Sequence, residues 1–260
     1  YAVPPPRLDA VAAQVSALPG MNHNYKRKHR FHLWFVITAT SRPLLQTQLQ
    51  ALDSTTGLRA LRLPMLRPYR IDLGFDLRER LAGAAPHART DAPPVAAADR
   101  ALAAWLEGGL PLVLQPFEQA AAAAGCSAMD VRATLQRWLD AGTLRRLGVV
   151  VRHHEMGFAH NAMAVWDAPD DKVDALGERL AAQPGVTLCY RRRRDDGWPF
   201  NLYAMVHGRS RADVHAAISA AAAATGLDAL PHQRLFSTRR FKQQGGQFFR
   251  AADRELGHAG

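Results

Sequence analysis

Only two cysteines, Cys126 and Cys189, occur in the 260 residues, and their surroundings are unrelated, so neither a disulfide framework nor a thiolate metal site is supported. No run reaches the roughly 20 apolar residues that a membrane span requires, and the alanine tracts 120–124 and 220–224 are short. The opening Tyr1-Ala2-Val3-Pro4-Pro5-Pro6 has neither the basic start nor the apolar core of a secretory leader, so the chain reads as cytoplasmic with no membrane partner. A phosphate-cradling glycine loop, a nucleophile elbow and a paired-cysteine motif are all missing, which argues against common nucleotide-driven and hydrolytic chemistries. Acidic residues are scarce: 23 Asp and Glu stand against 33 Lys and Arg, a formal charge of +10. The partner should therefore be acidic, either nucleic acid or a small molecule carrying several carboxylates or phosphates.

What is present is enough apolar material, 48% of residues, for two or three compact modules, and an internal repeat. Pro19-Gly20-Met21-Asn22-His23-Asn24-Tyr25-Lys26-Arg27 matches Pro184-Gly185-Val186-Thr187-Leu188-Cys189-Tyr190-Arg191-Arg192 in spacing and character. His32-Leu33-Trp34-Phe35-Val36 parallels Asn201-Leu202-Tyr203-Ala204-Met205, and Thr56-Gly57-Leu58 parallels Thr225-Gly226-Leu227, so one supersecondary unit occurs twice. In the later copy, strand character over Asn161 to Asp167, Thr187 to Arg193, Phe200 to His207 and Leu230 to Phe241 alternates with helical spacing over Lys172 to Ala182 and Arg211 to Ala224. This order is βαββαβ, the ferredoxin-like plan. The earlier copy has its first strand cut short at Tyr1 and is expected to begin upstream of it.

Between the copies, 80–98 is rich in Ala and Pro and suits a connector. Ala97 to Glu107 and Phe117 to Ala124 then read as helices, Ser127 caps a third helix through Asp140 with Asp130 as its acidic partner, and Leu144 to His153 returns as a strand. That is a helix-turn-helix followed by a wing. The fold class is thus α+β: two ferredoxin-like units with a winged helix-turn-helix between them. The division is 1–79 for the first unit, 80–98 for the linker, 99–158 for the winged module, 159–250 for the second unit and 251–260 for a tail. The two units are expected to pair as a pseudo-dimer within the chain.

The wing carries the densest chemistry, in Val149-Val150-Val151-Arg152-His153-His154-Glu155. Strand alternation puts Val151 and His153 on one face and Arg152 and His154 on the other, so one histidine at a time enters a given pocket. An imidazole there can serve as axial ligand or proton donor, and Arg152 can take an anionic group. The same alternation groups His23, Tyr25, Arg27 and His29 in the first copy, and Leu188, Tyr190, Arg192 and Arg194 in the second. Such aromatic and cationic faces suit a flat polyanion, with rings stacked on its plane and guanidiniums on its acids. Taken singly, the runs Lys26 to Arg30 and Arg191 to Arg194 also read as solvated hairpin ends. His23 stands apart because its counterpart is Leu188. His207 ends a strand on the face of Tyr203 and Met205, next to Gly208 and Arg209, and borders the same region.

A winged helix-turn-helix followed by βαββαβ resembles the Lrp/AsnC regulators. A closer resemblance, carried by Leu144-Arg145-Arg146-Leu147-Gly148 through Gly157-Phe158, by Asn161-Ala162-Met163-Ala164-Val165-Trp166, by Trp198-Pro199-Phe200-Asn201-Leu202-Tyr203-Ala204-Met205-Val206-His207-Gly208 and by Ser237-Thr238, is to the siroheme decarboxylases. The earlier copy, through Asn22-His23-Asn24-Tyr25 and Leu33-Trp34-Phe35-Val36, looks like that enzyme's partner subunit fused upstream. The resemblance implies loss of CO₂ from two acetate side chains of siroheme to give didecarboxysiroheme, on the way to haem or to the dioxo-haem of nitrite reductase in denitrification. It implies no cofactor, the iron tetrapyrrole being substrate and no metal being resident. It points to His153, His154 and His23 as catalytic, with His153 or His154 as an axial ligand. Arg152, Tyr25, Tyr190, Arg192, Tyr203, His207 and Arg209 would bind substrate, and further Lrp-like decarboxylase subunits would be partners. Leu188, where the family favours histidine, and Arg192-Arg193-Arg194, where Glu-Arg-Pro is common, are departures. The alternative is an Lrp/AsnC-type DNA-binding regulator. Against it, the recognition helix would open Ala128-Met129-Asp130-Val131-Arg132, which sets an acid against phosphate and offers little base readout, so nucleic acid is not expected as a partner.

Overall fold

A computed structural model describes residues 1–71, 92–144, 147, 157–246 and 248–249. Most of the expected wing strand Leu144 to His153, together with Arg152, His153 and the adjacent His154, lies outside the described residues, as do most of the connector and the tail.

The second copy forms β4 (His160–Trp166), α6 (Val173–Ala181), β5 (Val186–Arg192), β6 (Leu202–Gly208), α7 (Arg211–Thr225) and β7 (His232–Gln243), each within about two residues of the sequence reading. The first copy supplies α1 (Leu8–Ala17), β1 (Met21–Arg27), β2 (Leu33–Ile37), α2 (Arg42–Thr56) and β3 (Met65–Ile71). The repeat is physical as well as textual. Gly20 and Gly185 open the matched strands at φ 72° and 79°, and Gly57 and Gly226 end α2 and α7 at φ 64° and 74°, a left-handed conformation that costs glycine nothing. Ser41 and Ser210 cap the N-termini of those two helices.

The two units do not keep separate sheets. Seven strands among the described residues run in the order β2-β1-β7-β4-β6-β5-β3, so the second unit's β7-β4-β6-β5 has a strand of the first unit on each side. Strand β1 pairs antiparallel with β7, and β3 pairs antiparallel with β5, which makes the pseudo-dimer one hydrogen-bonded body. Pro68 is tolerated in β3 because that strand stands at the end of the order, with β5 as its only sheet neighbour.

Each unit packs its helices on one sheet face. Small residues on β4 and β6, Ala162, Ala164 and Ala204, let α6 and α7 approach closely, and Trp166, Leu180, Ile218 and Phe236 fill the space between. In the first unit Val11 and Val15 of α1 meet Met21, Leu33 and Leu52. Buried Asn24 is satisfied on that helix side, donating to the Ala12 carbonyl and to Ser16 Oγ, each at 3.0 Å. The opposite faces form a third apolar layer between the units, in which Met163, Val165, Tyr190, Trp198, Tyr203 and Leu235 contact Phe31, Trp34, Leu61 and Leu63.

The helical module contains α3 (Arg100–Leu106), α4 (Pro116–Ala124) and α5 (Ala128–Ala141) around Leu102, Ala120, Val131, Leu135 and Trp138. The cap expected from sequence is present: Ser127 Oγ accepts from the Asp130 amide at 3.1 Å, and the Asp130 carboxylate accepts from the Ser127 amide at 3.0 Å. Glu107 ties this module to the C-terminal end of the sheet, its carboxylate accepting from the Phe248 and Phe249 amides. No helix among the described residues is long and apolar enough to cross a membrane.

One contact locks β3 to its adopted unit. The Tyr69 ring lies against Gly177 of α6, where a Cβ would sit 2.2 Å from it, and the Tyr69 hydroxyl donates to the Asp174 carboxylate. Arg67 bridges Asp174 and Glu178 at 3.1 and 2.7 Å. Gly177→Ala therefore overpacks the seam, and the expected loss is about 1–3 kcal/mol in a denaturant titration. A Tyr69→Ala partner substitution should relieve the clash, giving a double-mutant coupling of opposite sign.

Candidate functional site

The face between the units is read most simply row by row, because residues paired across antiparallel strands share a side. On β1, Asn24 points at α1, so His23, Tyr25 and Arg27 point the other way, as alternation in the sequence required. Arg27 pairs with Ser237 of β7, and Ser237 Oγ donates to Asn161 Oδ1 of β4 at 2.6 Å. Asn161 lies opposite His207 of β6, whose Nδ1 is 3.1 Å from Thr187 Oγ1 at the start of β5. Arg27, Ser237, Asn161, His207 and Thr187 thus form a polar row across five strands. The adjoining row is apolar, with Leu235, Met163, Met205 and Leu188 in register. Beyond it stand Tyr203 and Tyr190, stacked at 5.6 Å.

Gly157 and Phe158 precede β4 in the chain. Arg209 has its guanidinium 5.7 Å from the Phe158 ring centroid. The described elements therefore bring His207 and Asn161 together on paired strands, with Arg209 against Phe158.

His23 is half-buried and stacked on Tyr25 at 6.1 Å, and its Nδ1 is buried with no hydrogen-bond partner. Burial, and after it the charge of Arg27, lowers its pKa below the usual 6.5, so the ring is neutral at physiological pH. Because the unfolded chain then holds the proton more readily, the neutral-ring contribution to stability is present above pH 6.5 and is lost as pH falls below it. An NMR titration should show this ring titrating below 6.5, and His23→Gln should flatten the acid limb of a stability profile. Tyr25 carries a phenol raised by burial and flanked by Arg27 and Arg240.

The remaining expected binders are more committed to the protein. Tyr203 is fully buried, accepting from Trp198 Nε1 at 2.6 Å and donating to the Phe200 carbonyl at 3.3 Å, so its hydroxyl is engaged within the protein. Tyr190 is buried beside it. Arg192 lies over the Tyr190 and Tyr203 rings at 4.7 and 5.8 Å and donates to the Leu63 carbonyl at 2.5 Å, so it staples the units together. These residues line the same face, with the Tyr203 hydroxyl and Arg192 Nη1 engaged in bonds within the protein. Arg27, Asn161 and Ser237 were not among the residues singled out from sequence, although alternation had already put Arg27 on the His23 face.

Two shallow surface cavities lie elsewhere, one of about 310 Å³ by Phe117 and Arg132 and one of about 480 Å³ by Pro184 and Ala217; neither adjoins the polar row. Among the described residues no group of three His, Cys, Asp or Glu could hold a metal ion.

Residues 1–70 and 155–242 match the family described as AsnC-like ligand binding domain. The siroheme decarboxylase NirDL subunit of Paracoccus denitrificans (strain Pd 1222) is 41% identical over 244 residues, covering 94% of this chain and 75% of that protein. Its counterpart in Paracoccus pantotrophus is 43% identical over 245 residues, with the same coverage. A crystal structure of the siroheme decarboxylase NirDL in complex with an iron-uroporphyrin III analogue superposes with a TM-score of 0.65 at 27% identity, covering all of this chain and 77% of that one.

Proposed function

The chain belongs to the siroheme decarboxylase family and is a carboxy-lyase with the AsnC-like, ferredoxin-like fold; from that premise we propose that it removes CO₂ from two acetate side chains of siroheme, giving didecarboxysiroheme, with histidine as proton donor. The observation that carries the reading is an inward-facing sheet surface that combines cations, aromatic rings and an unpartnered imidazole, in a chain 41–43% identical to siroheme decarboxylase NirDL subunits. The substrate supplies the iron and the conjugated ring into which charge can spread.

At each reacting acetate the bond from the side-chain carbon to its carboxylate breaks, CO₂ leaves, and the electron pair left on carbon takes a proton to give a methyl group. The proton comes from His153 or His154, and the other imidazole or His23 faces the iron. A neutral His23 suits a ligand or acceptor better than an acid, because at neutral pH little imidazolium is present to give a proton. An acetate paired tightly with Arg would be stabilised as ground-state carboxylate and its loss slowed, so cations should hold the acids that stay. The alternation of rows supports this division: polar Arg27, Ser237 and Asn161 for retained carboxylates, apolar Leu235, Met163 and Met205 for reacting ones. Arg152, Tyr25, His207 and Arg209 complete the binding surface, and further Lrp-like subunits join where full activity requires them.

Anaerobic incubation with siroheme should give a product lighter by two CO₂, with a shifted absorbance spectrum. An absorbance change without a change in mass would instead indicate a carrier or sensor. Tight, salt-sensitive binding of duplex DNA with no turnover would indicate a regulator.

A further inference from the structure

Arg27 is an unusual cation. Its side chain is buried, it makes one hydrogen bond, from Nη1 to the Leu235 carbonyl at 3.0 Å, and its Nε is buried without a partner. The titratable groups coupled to it are the Tyr190 and Tyr25 hydroxyls and the His23 imidazole, none of them an acid that would be its counter-ion, and no ion pair to it exists among the described residues. Several other arginines of the same fold are paired with acids: Arg194 with Asp167 at 2.7 Å, Arg67 with Glu178 at 2.7 Å, Arg62 with Asp53 at 2.6 Å. Removing a guanidinium from water without a counter-ion is costly, and burial already drags its pKa down to about 10. Packing alone gives no reason to keep it, since its place between Tyr25 and Leu235 would accept an unbranched apolar side chain.

We infer that Arg27 takes a retained carboxylate of the bound tetrapyrrole and, by fixing the rotation of the macrocycle, decides which acetates meet the proton donor. The inference rests on the decarboxylase reading above. Its geometry has three parts. The guanidinium lies 5.8 Å from the Tyr25 ring centroid, so ring contact and acid contact fall side by side. Ser237 and Asn161 continue the row with a hydroxyl and an amide that can orient the same anion. The neighbouring apolar row offers an acid no counter-charge, so the anchored carboxylate and the reacting one sit in different environments. Arg27 is then a specificity-determining residue whose buried charge is left uncompensated until substrate arrives.

The test compares wild type with Arg27→Gln and Arg27→Met. Iron uroporphyrin III is titrated by absorbance, thermal midpoints are taken without ligand, and siroheme products are separated after anaerobic turnover. The expected result is binding weakened roughly ten- to a hundredfold, an unliganded midpoint raised by about 2–4 °C for at least the Met variant, and monodecarboxylated or isomeric products that wild type does not give. Wild-type affinity and a single wild-type product in both variants would overturn the inference while leaving the activity standing. Variants that lose unliganded stability or fail to fold would overturn it too, by showing that Arg27 serves packing. A wild-type protein that neither binds the macrocycle nor turns over siroheme would instead defeat the decarboxylase reading itself.

Discussion

Replacing the productive member of the pair His153 and His154 by alanine lowers turnover of siroheme by about 10² to 10⁴-fold while leaving affinity near that of wild type, the loss typical of a general acid. The sequence Val149-Val150-Val151-Arg152-His153-His154 predicts strand alternation with the two imidazoles on opposite sides, so the two variants are expected to differ sharply. Single-turnover measurement under anaerobic conditions separates the chemical step from binding and release. If neither variant slows the chemistry, the pair has no part in proton transfer, and His23 becomes the remaining imidazole of this proposal.

Gly20→Ala should cost about 2–5 kcal/mol in a denaturant titration, the sum of a left-handed backbone penalty and a clash that cannot relax cheaply. At φ 72° an added Cβ lies 1.9 Å from the Thr38 carbonyl oxygen, and the obstacle is backbone rather than a flexible side-chain tip. Thr38 is held there by its own amide, which donates to the Gly20 carbonyl at 2.9 Å, so moving it opens the β1–β2 hairpin. Gly57→Ala is the control: φ is 64° but nothing lies within 4 Å, so only the backbone penalty of about 1–2 kcal/mol applies. Because β1 carries His23, Tyr25 and Arg27, the folded fraction of the Gly20 variant should also bind iron uroporphyrin more weakly, which Gly57→Ala should not reproduce.

Elements whose signals are local could be read from the chain. The Ser127 and Asp130 cap, the strand and helix order from Asn161 to Phe241, and the shared face of His23, Tyr25 and Arg27 all follow from periodicities of two or 3.6 and from capping chemistry. Strand β3 was not legible: Met65-Leu66-Arg67-Pro68-Tyr69-Arg70-Ile71 contains a proline, and its partner, β5, lies over 100 residues downstream. The run Lys26 to Arg30 read as a solvated hairpin end, and for exposed Lys28 and Arg30 it is one. Arg27 departs from that pattern because β7, more than 200 residues away, lies alongside it and supplies the Leu235 carbonyl. Likewise, the aromatic character of Tyr190 and Tyr203 was plain, but their burial with Trp198 and Phe200 in one cluster follows from tertiary packing that the strand pattern does not encode.

Diffraction from crystals grown with iron uroporphyrin III tests the location of the site most directly. The account predicts the macrocycle on the sheet face between the units, a carboxylate on the Arg27 guanidinium, and an imidazole of His153, His154 or His23 within reach of the iron or of an acetate. A macrocycle seated on the helix-covered side, or against the helical module with Arg27 still unpaired, would contradict it.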